Sequence, residues 1–271
     1  MRPELILSDA KIMQIDDARA SAYWTRFSKL AAIDDSHKLR EFAGASGKVV
    51  RAFQVPGFDR VFGLNEDTAD LLDEVLSWYQ ADSRSPSIDL LPLESLADLR
   101  ESLARKGFFM RRHQTQLYGA PQPELDSPVH RSIQAELVDP DDGSTMQDFL
   151  QAFVEAHEYA PEEAKAAIER TRTLYTGEPW QRYLVRVDGK PAGVGVLGRF
   201  GDVGYMTNSA TVPRFRRQGV HRAVLHVRLE AAKTQGIPIV AADTPVNAIS
   251  QRNIIRSGLS IACQLGQWVK L

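Results

Sequence analysis

The stretch Thr211-Val-Pro-Arg-Phe-Arg-Arg-Gln-Gly-Val-His-Arg-Ala-Val-Leu225 decides the fold. A strand-like run, Val203–Val212, ends inside it, and a basic loop follows. From Gly219 to Gln235 the residues Val220, Ala223, Val224, Val227 and Ala231 recur at helical spacing, and Gly236 is the stop. The N–H groups at a helix start have no intrahelical acceptor and point outward, so a strand-loop-helix of this kind can bind phosphate oxygens. Gly219 permits close backbone approach. Arg214, Arg216, Arg217 and Arg222 surround that end with positive charge, which suits a pyrophosphate or another polyanion. The loop has neither the Gly-x-x-x-x-Gly-Lys-Ser/Thr of a nucleotide P-loop nor the three-glycine dinucleotide pattern.

On either side of this stretch the pattern stays regular. Ile133–Val138 reads as a strand. Asp141-Asp142 precede a helix with Met146, Phe149, Leu150, Phe153 and Val154 on one face. Pro161, followed by Glu162 and Glu163, opens a second helix through about Tyr175. Tyr183–Val187 and Ala192–Leu197 flank Asp188-Gly189, a hairpin signal. Beyond the deciding stretch come a short strand at Ile237–Ala242, a helix at Ala248–Ser257 stopped by Gly258, and a final strand. The order is β-α-α-β-β-β-α-β-α-β, an α/β (α+β) fold with a central mixed sheet flanked by helices.

Composition sets the outer limits. The chain has 271 residues, 43% hydrophobic and 25% charged, with a net charge of −2. That length suits one large domain or two small ones, and the charge balance argues against nucleic acid or a membrane surface as partner. The lone cysteine, Cys263, can form neither an internal disulfide nor a multi-cysteine zinc site, and it points to a cytoplasmic protein. It reads as a small buried residue rather than a nucleophile. No apolar run reaches the roughly 20 residues of a membrane span. Met1-Arg2-Pro3-Glu4 leads into a short strand-like piece, unlike a secretory leader. No pair of histidines has metal-ligand spacing, so no metal is expected.

Residues 119–132 hold three prolines and one glycine and read as a linker, which predicts domains at 1–125 and 126–271. The first half repeats the second at an offset of 151 residues. The strand at Arg60–Leu64 then falls on Thr211–Phe215, the helix around Asp70–Gln80 on His221–Ala231, the strand at Ile88–Leu90 on Ile239–Ala241, Gly107 after the helix Leu96–Arg105 on Gly258, and Leu117 on Trp268. In the first copy Asn65-Glu66-Asp67-Thr68-Ala69-Asp70 stands where the basic loop should be. It has no glycine and carries three acids, which would repel an anion.

Arg216-Arg217-Gln218-Gly219-Val220-His221 resembles the acetyl-CoA motif of the GNAT acetyltransferases, Arg/Gln-x-x-Gly-x-Gly/Ala. His221 replaces the usual small residue, and Arg217 sits where glycine is common. Asn247-x-x-Ser250-x-Arg252-Asn253-x-x-Arg256-x-Gly258-Leu259 is similar to that family's later motif, with Leu259 for the usual phenylalanine. The resemblance covers about residues 133–271 and implies two tandem GNAT-like domains, the first degenerate and without a CoA loop. It implies that the amides of Arg216, Arg217, Gln218, Gly219, Val220, His221 and Arg222 hold the CoA pyrophosphate. Thr211 and Val212 would border the pantetheine arm, Val212 by backbone bonds. Asn247, Ser250 and Asn253 would face a gap between splayed fourth and fifth strands, with Asn253 or Asn247 bonding the pantetheine. A backbone N–H near Val212 would polarise the thioester carbonyl. His157, Glu158, Tyr205 and Asn208 are candidates for the acceptor side.

The family's usual tyrosine acid, seven residues after the motif asparagine, is here Ile254. Either another group supplies that proton, or the thiolate leaves unassisted, or this copy does not catalyse. The catalytic acid and base are therefore unassigned. The resemblance implies direct acetyl transfer from acetyl-CoA to an amine, with a small-molecule amine as partner. The alternative is a catalytically silent CoA-binding module. The oligomeric state is not legible.

Overall fold

A computed structural model describes residues 7–123, 132–139 and 141–270 and divides into two units, each with a mixed sheet and helices against it. Unit 1 is Met1–Gln116 with Thr244–Val246 and Ile261–Leu271; unit 2 is Leu117–Asp243 with Asn247–Ser260. The expected boundary at 125/126 falls within residues 124–131, outside those described. The chain's last strand, expected with the second domain, lies in unit 1. Its edge there is antiparallel to residues around Asp89, a partner that no local pattern specifies.

Unit 1 contains α1 (Asp9–Ala31), β1 (Lys38–Ala43), β2 (Val49–Val55), β3 (Phe58–Phe62), α2 (Leu72–Gln80), β4 (Ser87–Leu90), α3 (Ala97–Arg105) and most of β5 (Phe108–Gly119). The first strand-like piece was expected before residue 8; residues 1–6 lie outside the description, and Asp9 is already helical. The last strand, β11 (Ser260–Lys270), completes the sheet in the order β1-β2-β3-β4-β11-β5. A charged network runs through its core. Asp89, fully enclosed, bonds Arg19 at 2.6 Å and also Arg60, while Arg19 reaches Asp16 at 2.7 Å. Burial alone would raise the Asp89 pKa; the two guanidinium groups outweigh it and hold the carboxyl below its ordinary value. Two acids face two bases, so this network carries no net charge.

Unit 2 contains β6 (Ile133–Leu137), α4 (Gly143–Ala156), α5 (Pro161–Leu174), β7 (Trp180–Val187), β8 (Lys190–Phe200), β9 (Val203–Thr211), α6 (Val220–Thr234), β10 (Ile239–Pro245) and α7 (Ile249–Arg256). Asp142 caps α4, accepting from the Ser144 amide at 2.9 Å, and its hydroxyl and amide donors on Thr145 and Ser144 pull the carboxyl down to about 2. Pro161 begins α5 as expected. Asp188 and Gly189 take φ of 48° and 76°, the turn their pairing called for. The sheet order is β10-β9-β8-β7-β6, antiparallel except for β9 with β10. The same plan holds in unit 1, where β3 and β4 are parallel and joined through α2. Moved by 151 residues, α2, β4 and α3 fall on α6, β10 and α7.

Helix α6 lies close against β8, and two glycines set that distance. A Cβ on Gly193 would stand 2.5 Å from Val220 Cγ1. One on Gly195 would stand 2.5 Å from Val224 Cγ1 and 3.0 Å from Arg228 Nε. Gly195→Ala should therefore destabilise the protein by about 1–3 kcal/mol in a urea melt, the cost of overpacking a filled interior. Gly143→Ala meets nothing within 4 Å, and it should stay within about 0.5 kcal/mol of the native chain. Equal effects would show that the glycines do not set the approach.

Candidate cofactor site in unit 2

After Thr211 the chain turns sharply. Val212 is buried and its N–H donates to Ala192 O at 2.9 Å. Pro213–Phe215 form a 3-10 turn that uses the amides of Phe215 and Arg216. Arg217 takes φ 63°, and Gly219, at the start of α6, takes φ 89°. Positive φ at 217 explains why glycine is usual there; a non-glycine residue held so carries local strain. The amides of Arg217, Gln218, Gly219, Val220 and His221 donate to no acceptor among the described residues. These amides sit where the helix dipole also favours an anion. Arg216 donates to Glu158 at 2.7 Å, and Arg214 bonds Glu155. Two arginines of the loop thus rest on acids at the end of α4.

In the counterpart loop of unit 1 several amides are used within the loop. The Asn65 amide donates to Thr68 Oγ1 at 2.9 Å, and the Asp67 amide to Asn65 Oδ1 at 2.9 Å. Amides used in this way have nothing to offer a phosphate.

Beside the unit 2 loop the sheet opens. β9 and β10 pair from Val203↔Ile239 to Met206↔Ala242 and no further, although both strands continue. On the other edge of β9 the register with β8 jumps from Thr207↔Val196 to Ala210↔Val194. Asn208 and Ser209 together oppose Gly195, a β-bulge, and Asn208 takes φ 50°. The sequence reading anticipated the parting of the strands but not the bulge, which leaves no local mark beyond Asn208.

The later motif lies on and before α7. Asn247, exposed at φ 62°, donates its amide to Gln251 Oε1 at 2.7 Å. Ser250 is half-buried in the first turn. Asn253 contacts His221, Nδ2 to Nδ1 at 3.3 Å, which joins α7 to the start of α6. With Nδ1 accepting, the His221 proton is on Nε2, which is buried without a partner. Ile254 is 3% exposed and packs in the core with Leu225, Leu229 and Leu259, so the usual acid position points into hydrocarbon.

On the acceptor side, His157 stacks on Phe153 with ring centres 4.2 Å apart and bonds Phe153 O through Nδ1. Burial pushes its pKa down, against the pull of that carbonyl. Glu158, at φ 55°, is the partner of Arg216. Asn208 bonds the buried Tyr175 hydroxyl, and Tyr205 is buried in β9. The sequence reading missed Tyr175 and Arg228. Arg228 was detectable: it follows Val220 and Val224 at four-residue spacing on the apolar face of α6. Among the described residues no group of three metal-ligating side chains comes together, and no helix is long and apolar enough to cross a membrane.

Residues 144–254 match the Acetyltransferase (GNAT) family. Solved structures of similar fold include a GCN5-related N-acetyltransferase from Kribbella flavida (TM-score 0.64, 16% identity, covering 93% of this chain and 95% of that one). They also include a tandem GNAT protein from the clavulanic acid biosynthesis pathway (TM-score 0.65, 12% identity, 94% of each chain). A third is FemX (TM-score 0.60, 12% identity, 92% and 90%). No curated protein sequence matches the chain. Residues 144–254 therefore carry a GNAT-family domain, and the chain has the fold of GCN5-related N-acetyltransferases, a tandem GNAT protein among them.

The pKa of His221 is pushed down to about 4, by burial first and by the charge of Arg228 second. The folded imidazole stays neutral while the unfolded one, near 6.5, takes a proton. Stability should therefore fall as pH drops through 6.5 and level off near 4. From pH 7 to pH 5 the native chain should lose about 2 kcal/mol more than His221→Gln in parallel urea melts. Equal losses would mean that the imidazole titrates normally.

Proposed function

We propose that unit 2 transfers an acetyl group from acetyl-CoA directly to the amine of a small molecule, and that unit 1 binds no CoA. The observation that carries this reading is the row of unpaired amides from Arg217 to His221, set beside the parted strands β9 and β10. The amides and the loop arginines would hold the pyrophosphate, with Gly219 leaving the helix start open. Beyond Met206 the edge of β9 that faces away from β8 offers backbone partners to an extended, amide-bearing arm such as pantetheine. Thr211, Val212, Asn247, Ser250 and Asn253 would border that arm. Asn253 would exchange His221 for it, or hold both. His157, Glu158, Tyr205 and Asn208 would shape the acceptor side.

Acetyl-CoA supplies an activated carbonyl: the amine nitrogen bonds to it, the carbon-sulfur bond breaks, and the thiolate leaves. A backbone N–H of β9 steadies the negative charge on the carbonyl oxygen. The proton shed by the amine passes to solvent, and the thiolate, from a thiol with pKa near 8.5, leaves without a dedicated acid. The buried cysteine and the low net charge fit a cytoplasmic setting. One observation favours a second reading, a CoA-binding module without turnover: Ile254 is locked in the core and donates no proton.

A thermal-shift titration separates these. Acetyl-CoA and CoA at about a hundredfold Kd should each stabilise the native chain by roughly 2.7 kcal/mol, and ATP should do much less. Gly219→Trp, forced into positive φ with a bulky side chain at the loop, should abolish the shift. Release of free thiol with a panel of small amines then supports the enzyme; binding without release supports the silent module. No shift with either CoA species overturns both readings.

A further inference from the structure

Arg228 is fully enclosed two turns into α6, and no carboxylate among the described residues pairs with it. Its Nε donates to Val224 O at 2.9 Å. Its Nη1 donates to Val196 O on β8 and Thr207 O on β9, both at 3.2 Å, and its Nη2 to Ser209 Oγ at 2.6 Å. All three β-strand contacts lie on or beside the bulge, at the level where β9 leaves β10. Gly195, opposite the bulge, leaves the room that the guanidinium occupies.

A buried charge without a counter-charge is costly, and an apolar side chain of equal volume often serves stability as well. Unit 1 shows what the fold itself needs at this place. There Tyr79, on α2, links the paired residues Phe53 and Arg60 through its hydroxyl, which receives the Phe53 amide at 3.0 Å and lies 2.9 Å from both carbonyls. The strands β2 and β3 stay in register, with no bulge, and the bridging group is neutral. In unit 2 the strand pair bridged from α6 is Val196↔Thr207, the register breaks beside it, and the bridging group carries a full charge.

We propose that Arg228 is a positioning residue of the transfer reaction: from behind the sheet it fixes the β9 bulge and polarises the peptide units that receive the thioester carbonyl. The Thr207 carbonyl that it binds belongs to the same peptide unit as the Asn208 N–H. In a trans peptide that N–H points the opposite way, away from the guanidinium. A cation on the carbonyl makes that N–H a stronger donor, as linked hydrogen bonds polarise one another. The charge therefore acts on the acetyl carbonyl without touching it.

This inference rests on acetyl-CoA binding, and the test keeps the two apart. The readout is the infrared band of a 13C-labelled acetyl carbonyl in the binary complex, which needs no acceptor. CoA affinity is measured beside it. With the native chain the band should lie below its position in free acetyl-CoA. Arg228→Met should return it toward the free position while CoA Kd changes less than about threefold, since the loop that holds the pyrophosphate is intact. Arg228→Lys, which keeps the charge, should recover part of the displacement. A band in Arg228→Met displaced as in the native chain overturns the role of Arg228 and leaves the acetyl-CoA reading standing. A native chain that binds neither CoA species overturns that reading itself. If Arg228→Met does not fold, Ser209→Ala removes one contact outside the core and Arg228→Gln removes the charge, and a band displaced in both as in the native chain overturns the proposal.

Discussion

Pairing between β9 and β10 stops at Met206↔Ala242, and the rest of unit 2 is arranged around that stop. Two strands that part leave backbone groups without partners, and a buried group of that kind costs about as much as a lost hydrogen bond. The bulge at Asn208-Ser209 turns β9 away from its ladder with β8 at the same level. Arg228 takes two of the carbonyls at this level. Gly193 and Gly195 let α6 come near enough to deliver it. The start of α6 is then left beside the opening, with its first amides unused.

The two units share one plan and differ at the points where chemistry would occur. In unit 1 the loop before α2 uses the amides of Asn65, Asp67 and Thr68 within itself, the β2-β3 register is unbroken, and buried charges cancel among Asp16, Arg19, Arg60 and Asp89. In unit 2 the amides of Arg217 to His221 have no acceptor and Arg228 no acid among the described residues, and the register is broken. The buried guanidinium and the broken register carry a cost that the unit 1 arrangement avoids, while the exposed loop amides can bond water. The two copies thus differ in loop amides, strand register and buried charge, all within the same strand-loop-helix stretch and the strand beside it.

Much of unit 2 was legible because its signals are local. Asp188-Gly189, Pro161, Gly219 and Gly236 punctuate elements whose apolar residues keep a clean period. Helix α1 was not read as a helix because its buried face mixes Ile12, Ile15 and Leu30 with Asp16, Arg19 and Arg26, which hides the period. The placement of β11 beside β4 was beyond reach, since a strand's own sequence does not name its partner. The bulge escaped for a related reason: it is a mismatch between two strands, and neither strand records it alone. The loop residues Arg216–His221 were found because their requirement, a helix start with positive φ at Gly219, is written in one short segment.

The acids at the end of α4 look at first like obstacles to an anion at the loop. Glu155 and Glu158 hold Arg214 and Arg216, and both pairs are largely exposed. Exposed pairs of this kind contribute about 0–1 kcal/mol, so exchanging a carboxylate for a phosphate costs little. The phosphate oxygens would gain the amides as well as the guanidinium groups, and neither glutamate makes a bond to those amides. While the site holds no anion, the glutamates keep the arginines from repelling one another. The α4–α5 connection keeps its own bonds when Arg216 turns to an anion, since the His157, Glu158 and Tyr159 amides donate to Phe153, Glu155 and Val154 carbonyls.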